Sequence, residues 1–212
     1  MDTQYGKQLI KTLLIKSDLV QIDKALDEPI KDGMLQIVLI KSLFITVSNL
    51  VNFELSLRSI YQENPNLSEI YKSTKNEFEF AKYIRNKYVG HIKDELIESS
   101  IEWKPELKYF YKKEHDDGLG YIYNLFILET VINTFVDGTG NHRIFDSDTD
   151  LVYPEDMTRF LDYLYATVQN GIKFLNEVAK VLEEKVELRG IENADKSDWI
   201  KAANVNFKYI KK

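Results

Sequence analysis

From Pro154 to Val186 apolar side chains recur at steps of three and four: Met157, Phe160, Leu161, Leu164, Val168, Ile172, Leu175, Val178, Leu182 and Val186. This is the period of one helix face, and a helix this long with one continuous apolar stripe has to bury it against neighbours. Pro154 suits a first helical position, and Glu155 and Asp156 suit the positive end of the helix dipole. Gly190 is the expected stop.

Other helices are expected to pack on this one. Asp2 to Leu26 reads as a first helix, with Leu9, Leu13, Leu14, Leu19, Val20 and Ile22 on one side, broken at Asp27-Glu28-Pro29. Ile30 to about Tyr61 is the most apolar run and reads as a long central helix; its β-branched content leaves a strand alternative for Ile37 to Val47. Asn64-Pro65-Asn66 is a turn, and a further helix starts near Leu67. Aromatic runs around His115-Asp116-Asp117-Gly118, at Lys108 to Tyr111 and Gly120 to Tyr123, signal a small hairpin. Leu125 to Phe135 reads as helix and Asp137 to Val152 as a polar loop long enough to be functional or mobile. The expected fold class is a mostly all-α bundle of long helices with a short hairpin or irregular insertion. Residues 1–190 form one helical domain with that insertion at 105–153, and 191–212 form a polar tail with Trp199, Phe207 and Tyr209 as docking points.

The chain of 212 residues, 44% hydrophobic and 29% charged, has the composition of a soluble globular domain. Its formal charge of −6 argues against a protein that coats nucleic acid, which needs a broad basic surface. Local cations remain: Lys82, Arg85, Lys87, His91 and Lys93 lie within twelve residues. There is no cysteine, hence no disulfide and no thiolate metal site, and no signal or transit pattern is visible. Gly33 to Phe53 holds one charge, Lys41, but its scattered polar residues make it a core helix rather than a membrane span. The expectation is a cytoplasmic protein with no membrane contact.

The helix from Leu67 ends in Arg85-Asn86-Lys87-Tyr88-Val89-Gly90-His91. Tyr71, Thr74, Phe78, Ala81, Arg85, Tyr88 and Ile92 share one seam, which puts a cation in an otherwise apolar stripe. Such a guanidinium requires a carboxylate, a phosphate or a facing helix. On an unbroken helix His91 would point about 120° away from Arg85, but Gly90 can bend or end the helix and bring the two together. The pattern resembles the signature of the HEPN superfamily (higher eukaryotes and prokaryotes nucleotide-binding), in which Arg and a polar residue precede His by a short spacer. It is similar to members of the phage-defence, abortive-infection type, over roughly Leu67 to Ile92.

The resemblance implies a metal-independent endoribonuclease in phage defence or a toxin–antitoxin system, without cofactor or metal. RNA supplies its own nucleophile, the 2′-hydroxyl, so the protein needs only proton transfer and charge stabilisation. His91 suits the first role and Arg85 the second, with Asn86 as polar support. The resemblance further implies a homodimer with a composite site at its interface, products ending in 2′,3′-cyclic phosphate, and an antitoxin partner. Some members carry tyrosine two residues after the histidine; here that residue is Lys93. The alternative is a non-catalytic HEPN module for dimerisation, nucleotide binding or scaffolding, in which Arg85 pairs with a carboxylate and His91 caps the helix.

Other motifs fail on spacing. Asp146-Ser147-Asp148-Thr149-Asp150 starts like a calcium loop, but Leu151 stands where glycine is required and Met157 where glutamate is. His115-Asp116-Asp117 has no further ligands at a recognisable spacing. His142-Arg143 is a candidate second phosphate contact. A small-ligand regulator using the loop Asp137 to Val152 is a third reading.

Overall fold

The structure, a computed structural model, describes residues 3–28, 32–110, 117–187, 190 and 195–210. They form an all-α bundle. In chain order the helices are α1 (Thr3–Asp27), α2 (Gly33–Glu54), α3 (Arg58–Glu63), α4 (Pro65–Lys72) and α5 (Lys75–Ile84). A π-helical segment, Arg85–Val89, follows, then α6 (Asp94–Trp103), α7 (Leu107–Phe110), α8 (Asp117–Asn133), α9 (Pro154–Lys185) and α10 (Lys196–Ala203).

Helix α9 is the spine, with Pro154 in its first turn beside Glu155 and Asp156. Phe160, Leu164, Val168, Leu175, Val178 and Leu182 of its stripe are buried. Helix α1 lies along it so closely that a Cβ on Gly171 would come within 2.8 Å of Leu19 Cδ1, in a core where Leu19 has no room to move. The buried face of α1 is Gln8, Leu9, Thr12, Ile15, Leu19 and Ile22, while Leu13 and Leu14 are exposed, contrary to expectation. Two polar residues are hidden in that face because each is satisfied. Gln8 donates to the Ser56 carbonyl at 2.7 Å and Thr12 to the Gln8 carbonyl at 2.9 Å.

Helix α2 begins at Asp32, whose carboxylate accepts from the Met34 and Leu35 amides. It is helical throughout Ile37 to Val47, so the strand alternative is excluded. It ends at Glu54 rather than near Tyr61. The Ser56 hydroxyl and amide both turn back to the Phe53 carbonyl, and Gln8 takes the carbonyl of Ser56 itself. By length and composition α2 could cross a membrane, but half of that apolar window is buried within the bundle, an arrangement compatible with a soluble protein.

The expected helix from Leu67 is divided. Ser73 and Thr74 bond back to the Ile70 and Tyr71 carbonyls, which closes α4 before α5 begins. The seam nevertheless stays in register: Tyr71, Thr74, Phe78, Ala81 and Tyr88 are all buried.

The hairpin does not form: Lys108 to Phe110 and Gly120 to Tyr123 are helical. Leu125, Leu128, Val131 and Ile132 are buried at helical spacing and carry the aromatic run into α8. Tyr121 packs on Gly33, where a Cβ would come within 2.8 Å of its ring. Tyr111, His115 and Asp116 lie outside the described residues.

The loop between α8 and α9 is tied down along its length. Asn133 exchanges hydrogen bonds with the Thr149 backbone at 2.8 and 2.9 Å. Arg159 reaches Ser147, Asp148 and Thr149 and pairs with Asp156. The fully buried Glu129 receives the Trp103 indole N–H, the Leu151 amide at 2.9 Å and the Lys104 ammonium at 2.9 Å. Lys104 also pairs with Asp150 at 3.3 Å. Burial alone would lower the Lys104 pKa, but Glu129 and Asp150 overcome it and raise it. Asp150 is thus engaged with Lys104 and the Val152 amide. At the other end of the chain, Trp199, Phe207 and Tyr209 are exposed, so the expected docking points make no core contact among the described residues.

Gly171→Ala should destabilise the protein by roughly 1 kcal/mol in urea unfolding. Overpacking against Leu19 costs about 1–3 kcal/mol and is partly offset by about 1 kcal/mol of gained helix propensity.

Candidate functional site

Arg85 to His91 occupies the place where α5 stops being an α-helix. The Gly90 N–H donates to the Arg85 carbonyl at 2.7 Å, an i to i+5 bond that closes a π-turn. In an α-helix the residue one turn on from Arg85 would be Val89; here it is Gly90. The Arg85 guanidinium therefore lies over the bare Cα of Gly90, where a Cβ would stand 3.1 Å from Nη1 and 3.2 Å from Cζ. Gly90 has ordinary right-handed helical dihedrals, φ −82° and ψ −35°. Its contribution is the missing side chain rather than an unusual backbone.

On the inner side, Tyr88 is buried and its hydroxyl donates to Asn124 of α8. The Lys41 ammonium donates to the same amide oxygen at 2.5 Å and lies 4.7 Å from the centre of the Tyr88 ring. Burial pushes the Tyr88 pKa up and the Lys41 pKa down. The π-segment is thereby anchored to α2 and α8 from within, and its outer side is left to Arg85, Asn86 and Lys87.

Arg85 is half-buried and donates to the Asn86 side-chain oxygen at 3.1 Å. Among the described residues no carboxylate lies within ion-pair distance of it. The seam thus ends at Ala81 and Tyr88 rather than drawing Arg85 into the dry core, and Ile92 is exposed. Asn86 has its amide N–H groups free of partners among the described residues. His91 follows Gly90 directly and is exposed, with no hydrogen bond among the described residues. It does not cap α6, which begins at Asp94 with Lys93 preceding it. The structure therefore joins Arg85 to Asn86, and it leaves His91 beside them on the exposed turn without a bond to either.

Next to Asn86 lies a cleft of about 840 Å³ between α5 and the start of the α8–α9 loop, lined by Tyr83, Asn86, Phe135 and Arg143 among others. His142 also borders it, but its ring is committed. Nδ1 accepts from the Ile144 and Phe145 amides at 3.1 and 2.8 Å, and Nε2 faces the Ile132 carbonyl at 2.9 Å. This assigns neutral imidazole with the proton on Nε2. Burial, reinforced by Arg159, holds its pKa below the ordinary value. His142 is accordingly a structural pin and no phosphate contact, whereas exposed Arg143 beside it stays available.

No family model matches the chain, and no curated protein or solved structure matches it. Function has to be argued from the residues alone.

The cleft was not legible in sequence, because its two walls are some fifty residues apart; the nearest signal was the His142-Arg143 pair. Asp146 and Asp148 form no metal cluster with Asp150, and among the described residues no group of three or more ligating side chains could hold an ion.

The neutral His142 has a pH consequence. With its folded pKa depressed, its contribution to stability is complete above the unfolded value of about 6.5 and is lost as pH falls through that value, since the unfolded chain takes up the proton first. Urea unfolding should show His142→Ala less stable than wild type by about 1–3 kcal/mol at pH 7.5, from amides left unsatisfied. The gap should narrow towards pH 5.

Proposed function

We propose that the chain is a metal-independent endoribonuclease of HEPN type, acting in phage defence or as the toxin of a toxin–antitoxin pair. The observation that carries this reading is the state of Arg85. It is half-buried, held by Asn86 and Gly90, and without a carboxylate among the described residues, in a protein whose formal charge is −6. A cation fixed in place and left without a counter-charge is suited to an anionic ligand, and the planar guanidinium fork fits phosphate oxygens. π-turns inside helices are frequent at functional sites.

In this reaction the 2′-hydroxyl of RNA attacks the adjacent phosphorus, its proton passing to a base. The bond from phosphorus to the 5′-oxygen breaks, and that oxygen leaves with a proton from an acid. One product ends in 2′,3′-cyclic phosphate and the other in a 5′-hydroxyl. Arg85 stabilises the charge that grows on the non-bridging oxygens. His91 is the base or acid, suited by its range near neutrality. Asn86 holds the guanidinium through its oxygen and has an amide N–H to offer a phosphate oxygen. A homodimer that placed two copies of this turn at one phosphate would supply two imidazoles, one for each proton transfer.

The second reading, a non-catalytic helical module, is favoured by apolar side chains left exposed on α1 and α2: Ile10, Leu14, Leu35, Val38 and Ile45. Such a face suits assembly with a protein partner, an antitoxin included.

The deciding experiment is cleavage of RNA by purified protein in excess EDTA, with the product ends analysed. Wild type should cleave and leave cyclic phosphate. His91→Ala should lose about 10²–10⁴-fold in rate and Arg85→Ala about 10²–10³-fold, both variants keeping their thermal midpoint. Gly90→Ala should also be slow, because its Cβ would displace the guanidinium. Absence of cleavage by folded wild-type protein overturns the nuclease and leaves the assembly module.

A further inference from the structure

We infer that the cleft beside Asn86 is a stacking site for one unpaired nucleobase of an RNA strand whose backbone passes Arg85. This rests on the proposed nuclease for the direction of the strand, while the cleft stands on its own geometry.

Its wall is aromatic. Tyr83 and Phe135 are both half-exposed, with ring centres 5.0 Å apart and planes tilted by 50°. The Tyr83 ring is held in orientation by its hydroxyl, which donates to the side-chain and backbone oxygens of Thr134 at 3.0 and 3.2 Å. Phe135 is backed by Phe80 at 4.8 Å, in a stacked arrangement. Neither ring can turn away to hide itself, so both present fixed apolar surface to the cleft.

Cations stand at the same rings. The Arg143 guanidinium lies 5.4 Å from the centre of Phe135, and the Lys87 ammonium 5.9 Å from that of Tyr83. Around the cleft Lys75, Lys82 and Arg143 face Glu79 and Asp137. The Asp137 carboxylate is already occupied by Thr139 and Asn141. Positive charge therefore prevails locally in an acidic protein. Aromatic platforms flanked by cations are the common means of holding single strands without a sequence code, because every base has a π-face. A volume of about 840 Å³ accommodates a nucleotide.

Asn86 gives the direction. It lines the cleft and accepts from Arg85, so a phosphate at Arg85 and a base in the cleft would be neighbours on one strand. A double helix keeps its bases stacked inside and could not offer one, which selects single-stranded RNA.

The test uses the full chain and a labelled single-stranded 2′-O-methyl oligonucleotide, in which the nucleophile is blocked, so that binding is read by anisotropy without cleavage. Tyr83→Ala and the exposed Arg143→Ala should each weaken binding by roughly tenfold, and Tyr83→Phe, which keeps the ring, should bind like wild type. An abasic oligonucleotide of the same length should bind wild type as weakly as the intact one binds Tyr83→Ala. Failure of wild type to bind, equal affinity for the abasic strand, or wild-type affinity in both Tyr83→Ala and Arg143→Ala overturns the inference. Cleavage that depends on Arg85 and His91 but not on Tyr83 would overturn the stacking site alone. Binding that depends on Tyr83, with no cleavage by wild type, would overturn the nuclease alone.

Discussion

The hydrogen bond from the Gly90 N–H to the Arg85 carbonyl sets everything around the candidate site. By spanning five residues instead of four, it shifts the register of the helix by one position just where the buried seam would otherwise take in Arg85. Tyr88 is then free to point inward to Asn124 and Lys41, while Arg85 and Asn86 turn to the surface. The turn ends within one residue of His91, and the chain runs on without helix to Asp94. A single backbone bond thus separates a structural side, anchored in α2 and α8, from a polar side with its cation unneutralised.

The helices whose apolar spacing was unbroken were legible from sequence, and α9 is the clearest. Its period survives in the buried residues from Phe160 to Leu182. The boundaries that sequence missed share one cause: small hydroxyl residues that turn back on the preceding carbonyls. Ser56 closes α2, and Ser73 with Thr74 closes α4, each by a bond that competes with helix continuation. The aromatic run at Gly120 to Tyr123 was misread as a strand for a related reason. Local β-propensity favoured a hairpin, but the packing of Tyr121 on Gly33 and the apolar residues that follow belong to a helix.

Of the site, sequence revealed the parts that lie close together in the chain. Arg85, Asn86 and His91 fall within seven residues, and the glycine between them marked a bend. It could not reveal the width of the turn, which depends on Tyr88 finding Asn124 thirty-six residues away. Nor could it show that Glu129 is a satisfied buried charge, because the partners of that carboxylate come from the end of α6 and from the α8–α9 loop. His142 was read as a surface group for the same reason. Its two ring nitrogens are used up by backbone partners that only the folded loop supplies.

The ties on the α8–α9 loop have a thermodynamic corollary. A long polar loop beside a cleft would normally be ordered only when a ligand arrives, at the expense of affinity. Here Asn133, Arg159, Lys104 and His142 fix it in the free protein. The conformational entropy of that wall is therefore lost during folding, and a ligand entering the cleft meets a preorganised surface. Recognition there should resemble a rigid lock, with discrimination by shape and modest enthalpy–entropy compensation, in place of induced fit.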